Sequence, residues 1–220
     1  MSSYYQLSTY DEIDNNFITL RDNLYGGPLI YWAYLNYLCP ACRSLDKNAL
    51  LARKEGFEGG PKIHVKKGRE LAEARDGFLC VKTRVVKLLK RHRVAGYLTK
   101  EIPYTDWHVL RVTSKVAFKD FVPKREDPPC KVCGRGAYYG IAEALRQIAV
   151  PKHHNTFFTP QIERGQGQDI YMTEKVALML KANGVKGGSL SRLLDDKEYR
   201  LYREGTVAAR RKIKGLQIYL

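Results

Sequence analysis

Residues 85–97, VVKLLKRHRVAGY, lie over residues 176–188, VALMLKANGVKGG, without a gap. Val85, Leu89, Lys90, Val94 and Gly96 meet the identical residues Val176, Leu180, Lys181, Val185 and Gly187, and Leu88 meets Met179. Within each stretch Val85, Leu88, Leu89 and Val176, Met179, Leu180 follow the i, i+3, i+4 spacing of one buried helical face. Short apolar, β-prone runs precede both helices, Phe78-Leu-Cys-Val81 and Ile170-Tyr-Met172, and Thr83 and Thr173 offer side-chain oxygens to cap them. Asn183-Gly184 is a helix stop, where a left-handed residue is favoured. Gly96 and Gly187 then lead into YLTKEI and GSLSRLL, read as second strands, so each stretch predicts strand, helix, strand.

The same offset relates the cysteines. LCPACRSLD (38–46) and PPCKVCGRG (128–136) each hold a C-x-x-C pair, and Cys130 and Cys133 stand 91 residues after Cys39 and Cys42 (130 − 39 = 91). Similarity at one fixed offset marks a repeat. The predicted fold class is therefore α+β, with two related strand-helix-strand halves around a four-cysteine, zinc-ribbon-like clamp. Residues 1–29 read as an N-terminal extension, 30–120 as the first half, 121–195 as the second and 196–220 as a basic C-terminal tail, all within one compact domain. Residues 43–77 and 134–169 share no similarity, and HVLRVTSKVAF (108–118) alternates as a strand does.

Zinc takes four ligands tetrahedrally, and each C-x-x-C turn delivers two thiolates. Cys39, Cys42, Cys130 and Cys133 thus make one closed site, which clamps segments and leaves no open position for water. The competing readings are a thioredoxin-like dithiol, separate zinc sites drawing on His64, His92, His108, His153 or His154, and a chain without metal; iron also accepts four thiolates. A redox protein needs only one pair, Pro128-Pro129 reads as a turn, and the histidines lack ligand spacing near either pair. Cys80, the fifth cysteine, sits in an apolar run and reads as a buried small hydrophobe.

With 44% hydrophobic and 11% aromatic residues in 220, the chain is expected to fold around an adequate core. No run approaches the roughly 20 apolar residues that span a bilayer, and Met1-Ser-Ser-Tyr-Tyr-Gln lacks the pattern of a signal peptide, so the expected location is the cytoplasm, without a membrane partner. A net charge of +15 favours a polyanionic partner, either nucleic acid or an acidic protein surface. Arg84, Lys87 and Arg91 follow i, i+3, i+7 opposite the apolar face of their helix, and Arg210, Arg211 and Lys212 cluster in the tail; these six are the candidate partner-binding residues. GRGAYYG (134–140) and ERGQGQD (163–169) match no phosphate-binding loop and read as turns, KHHN (152–155) as a loop, and YDEID (10–14) and LLDDKEY (193–199) as unpaired carboxylates. No catalytic motif stands out, and the chain is read as no enzyme.

PPCKVCGR (128–135) and IERGQGQDIYMTEKVALMLKANGVKGGSLSRLL (162–194) resemble the double-CXXCG motif family, a Myxococcus-type set of paralogous proteins, over about residues 25–195. That resemblance implies a cytoplasmic immunity protein that neutralises a cognate toxin passed between neighbouring cells. Two departures stand: Cys39-Pro-Ala-Cys42-Arg43 lacks the family's glycine, and the tail after Leu194 has no counterpart. The expected function is a non-catalytic, zinc-binding immunity protein whose toxin presents an acidic face or is not a nuclease. The alternative is a nucleic-acid-binding zinc-ribbon protein that neutralises phosphates with Lys and Arg.

Overall fold

Alternation of apolar residues along short β-prone runs gives two mixed sheets, and the two amphipathic stretches give the helices that pack on them. The structure is a computed structural model that describes residues 3–9, 12–13, 19–22, 28–30, 36–42, 46–52, 65–74, 77–117, 124–125, 130–133, 138–139, 149, 153–160, 169–204, 213 and 217–220. Its strands are β1 (Tyr4–Thr9), β2 (Glu12–Ile13), β3 (Thr19–Asp22), β4 (Pro28–Ile30), β5 (Leu71–Ala74), β6 (Leu79–Lys82), β7 (Tyr97–Glu101), β8 (Trp107–Val112), β9 (Lys115–Val116), β10 (Lys124–Arg125), β11 (Tyr138–Tyr139), β12 (Phe157–Pro160), β13 (Ile170–Thr173), β14 (Gly188–Arg192) and β15 (Gln217–Tyr219). Its helices, four among the described residues, are α1 (Lys47–Ala52), α2 (Thr83–Arg91), α3 (Glu174–Ala182) and α4 (Asp196–Glu204). None is long and apolar enough to cross a membrane.

The first sheet runs β2-β5-β6-β8-β7 and the second β15-β14-β1-β13-β12-β9; β3-β4 and β10-β11 form two separate ladders. The strand-helix-strand segments appear where the spacing predicts them, and β6, α2 and β7 correspond in length to β13, α3 and β14, 91 residues on (170 − 79 = 91). The strand between β6 and β7 is β8, which follows β7 in the chain. The strand between β13 and β14 is β1, from the far N-terminus. β1 and β2 precede β8 and β9 by 103 residues (107 − 4 = 103). Registers agree: Trp107 faces Lys82 and His108 faces Glu101, as Tyr4 faces Thr173 and Tyr5 faces Arg192. At the flank, β2 lies parallel to β5 and β9 parallel to β12. Residues 1–29, read from sequence as an extension, therefore supply an interior strand of the second sheet.

One core joins both sheets and both helices. The inward residues of β6 and β8 (Leu79, Val81, Leu110, Val112) and of β13 (Ile170, Met172) meet Leu89 of α2 and Leu180 of α3. Alternate residues face outward, as period-2 strands require: Cys80, Phe78 and Trp107 into a cluster with Leu50 and Leu51 of α1, and Phe158 and Tyr171 into a third cluster with Tyr4 and Leu193.

The sheets are tied at two matching places. Phe157 N–H donates to Ala95 O (3.0 Å) and Leu71 N–H to Lys186 O (3.2 Å). The glycine that follows each acceptor has positive φ, +81° for Gly96 and +121° for Gly187. A Cβ on Gly96 would come within 2.2 Å of Phe157 O, and one on Gly187 within 2.5 Å of Leu71 O. Both positions therefore demand glycine for conformation and for space.

The helix starts differ from the sequence reading. Neither helix has a side-chain cap; α2 begins at Thr83 itself, after Lys82. The strands run straight into the helices, and the threonine oxygens turn to neighbouring strands instead. Thr83 Oγ1 donates to Asp106 O (3.0 Å), and Thr173 Oγ1 accepts from Thr156 N (3.4 Å). The stop is as read, with Gly184 at φ +62°; its counterpart Arg93 takes the same left-handed turn at φ +51°.

Candidate metal centre

The first cysteine turn is built onto the outer face of the first sheet. Asp46 N–H donates to Tyr37 O (2.7 Å), and the Asp46 carboxylate accepts from Ala49 N (3.0 Å), capping α1. Leu50 and Leu51 of α1 are buried in the outer cluster, with Tyr37 and Leu38 packed against it, so Cys39 and Cys42 leave from an anchored base. The second turn, Cys130 to Cys133, lies between β10 and β11, which pair Lys124 with Tyr139 and Arg125 with Tyr138.

The four sulfurs converge, all within 4.8 Å of one another. Cys39 Sγ lies 3.7 Å from Cys130 Sγ, and Cys42 Sγ lies 3.4 Å from Cys133 Sγ. Zinc–sulfur bonds of about 2.3 Å in a tetrahedron place sulfurs about 3.8 Å apart, so the donor set suits one four-coordinate ion. The four residues can bind one metal ion, and four thiolates accept zinc or iron. Cys39 is buried, Cys130 half-buried, and Cys42 and Cys133 are exposed. The Cys133 backbone hydrogen bond, and after it that of Val132, lowers the pKa of Cys130 below the usual thiol value. That favours the thiolate, the form a metal requires.

The remaining sequence candidates fall elsewhere. Cys80 is fully buried in the outer cluster, its thiol 3.7 Å from Phe78 O, as its apolar run suggests. Among the described residues the metal-ligand cluster holds only the four cysteines; His92, His153 and His154 are exposed, and His64 lies outside the described residues. His108 Nε2 sits 3.1 Å from Thr83 Oγ1; burial lowers its pKa, with Glu101 opposing and Lys90 adding to the shift. Asn155 of KHHN donates to His92 O (2.6 Å) at the end of α2. Of the glycine-rich stretches only Tyr138, Tyr139 and Asp169 are described.

The basic candidates separate. Arg84 is held by Glu70 through two bonds (Nε–Oε1 2.5 Å, Nη2–Oε2 2.6 Å) and donates to Asn183 O at the end of α3 (3.2 Å), so it joins the helices. Lys87 and Arg91 are exposed on the outer face of α2. Arg210, Arg211 and Lys212 lie outside the described residues. The acidic run at 193–199 is structural: Glu198 N–H donates to Asp195 Oδ1 (2.8 Å), Asp195 N–H to Glu198 Oε2 (3.2 Å), and Arg192 grips Glu198 at 2.8 and 2.6 Å. This reciprocal box was readable in Asp195-x-x-Glu198.

One exposed side chain escaped the sequence reading. Tyr104, in the turn between β7 and β8, has φ +62° and is fully solvent-exposed (101%). Thr105 N–H closes the turn on Ile102 O (3.3 Å), with Pro103 and Tyr104 at its centre. Positive φ at the third turn position normally selects glycine, and a side chain there costs about 1–2 kcal/mol. The available signal was a Pro-X turn with no glycine after the proline.

No family model matches the chain, and no curated protein matches it.

Proposed function

We propose that the chain is a non-catalytic, zinc-clamped immunity protein that binds and neutralises a cognate bacterial toxin in the cytoplasm. On this reading it consists of two copies of one unit, each comprising two strands, a C-x-x-C turn and a strand-strand-helix-strand segment. Each copy lends its first strand to the other's sheet. The observation that carries the proposal is the convergence of the four sulfurs, one turn per copy, in the matched pairs Cys39/Cys130 and Cys42/Cys133. A four-thiolate set is coordinatively closed, so its chemistry is to hold segments in place. A rigid, clamped scaffold suits tight binding of a partner, because ordering costs are met before association. The toxin as partner rests on the double-CXXCG resemblance.

Co-expression of the chain with the product of the adjacent gene tests this. Wild type rescues growth in a one-to-one complex, and Cys130→Ser lowers both metal content and rescue. A chain that rescues no toxin and forms no such complex contradicts the proposal.

The second reading, nucleic-acid binding, draws on the net charge of +15 and the exposed Lys87 and Arg91. Tight binding of a short duplex with a steep salt dependence would favour it. Retention of Arg84 by Glu70 removes one member of the basic stripe from that role.

A further inference from the structure

We infer that the turn at 103–105 and the outer face of α2 form the partner-binding surface, and that it fits a protein with a carboxylate-lined cleft that admits one phenol ring. This rests on the immunity reading and names the surface that reading lacks.

Tyr104 is displayed rather than packed. Its ring makes no use of the core, its backbone stands where glycine is favoured, and the turn around it is fixed. Ile102 and Trp107 at the base are buried, and Ile102 N–H donates to Trp107 O (3.0 Å). Thr105 Oγ1 donates to Ile102 O (2.8 Å) and accepts from Trp107 N (3.2 Å). A protruding aromatic on a fixed turn loses little freedom on docking, and tyrosine is favoured as an interface anchor.

The turn also adjoins the basic helix. Asp106 O accepts from Thr83 N (2.8 Å) and Thr83 Oγ1, and Asp106 pairs with Lys82 (2.6 Å). At 1.5 Å per residue, Lys87 stands about 6 Å and Arg91 about 12 Å along α2 from Thr83. Lys87, Lys90, Arg91 and Arg93 are exposed, and no salt bridge among the described residues engages them. An aromatic tip therefore heads a line of cations. Nothing equivalent follows β14, where the chain passes into buried Leu193 and Leu194, so among the described residues the surface occurs once.

A single convex ring beside one helix matches a protein cleft of opposite charge. Single-stranded nucleic acid would use a groove with several stacking rings.

The probe is the purified product of the adjacent gene, titrated calorimetrically into the full-length, metal-loaded protein. Wild type binds one-to-one. Tyr104→Gly weakens binding about 100-fold without lowering the melting temperature, since glycine suits the backbone at this position. Lys87→Glu with Arg91→Glu slows association at low salt by about tenfold or more, and Lys175→Glu on α3 changes neither. Equal affinity for wild type and Tyr104→Gly overturns the surface and leaves the immunity reading standing. Absence of wild-type binding overturns the immunity reading and this surface's partner with it. Salt-dependent binding of a DNA duplex that is lost in Lys87→Glu with Arg91→Glu but kept in Tyr104→Gly overturns the assignment in favour of nucleic acid.

Discussion

α2 and α3 occupy matching seats on their sheets, yet their outer faces agree only at Lys90 and Lys181. Val85, Val86, Leu88 and Leu89 are buried on one, and Val176, Ala177, Met179 and Leu180 on the other. Outside, α2 carries Arg84, Lys87, Lys90 and Arg91 where α3 carries Lys175, Leu178, Lys181 and Ala182. Packing constrains the inner residues, because losing buried contacts costs stability. Solvent leaves the outer ones free to serve partners. On the proposed reading, a difference between matched positions therefore points to function, and agreement points to architecture.

The comparison breaks most readily at the cysteines. If the two turns are equivalent parts of one centre, Cys39→Ser, Cys42→Ser, Cys130→Ser and Cys133→Ser each lose the metal. Denaturant unfolding should show each losing upwards of about 5 kcal/mol, given roughly 10–16 kcal/mol for structural zinc in small domains. Metal retained by Cys39→Ser and Cys42→Ser but lost by Cys130→Ser and Cys133→Ser, or the reverse, would mean that the turns are not equivalent.

Leu89→Ala and Leu180→Ala sharpen it next. Both side chains are almost wholly buried in the shared core, so each change should cost about 2–5 kcal/mol, and the two values should agree within about 1 kcal/mol. Gly96→Ala and Gly187→Ala should each cost about 1–3 kcal/mol through strained backbone and close approach, Gly96→Ala the more because its Cβ comes nearer a carbonyl. A neutral Gly187→Ala would show that the second tie between the sheets is looser than the first.

The smallest effect lies where only the second sheet has a structure to test. The hydrogen bond from Arg192 holds the Glu198 carboxyl below its ordinary 4.5. The charged form is the stabilising one, so the contribution is present above that value and fades as pH falls through the lowered one. Glu198→Gln should cost about 1 kcal/mol at about pH 7, with the gap from wild type closing in thermal melts as pH falls below 4.5.

How much of this the sequence revealed follows from the range of the interactions. The helical face at 85–89 and its counterpart at 176–180 are local patterns, and so are the C-x-x-C turns; all were readable. The places of β1 between β13 and β14 and of β8 between β6 and β7 were not. YYQLST and WHVLRV share only Leu7 and Leu110 at matching places, and which strands neighbour one another is decided by pairing across the whole chain. The threonine caps failed because a neighbouring strand competed for each oxygen. Arg84 looked like a surface cation because Glu70 and Asn183, its partners, are distant in sequence.

The central claim is that one metal joins the two cysteine turns, and X-ray absorption on the natively purified protein, with metal analysis, tests it most directly. The account predicts one zinc per chain with four sulfur neighbours at about 2.3 Å. A metal-free protein, mixed nitrogen and sulfur ligation, or a stoichiometry other than one per chain would contradict it.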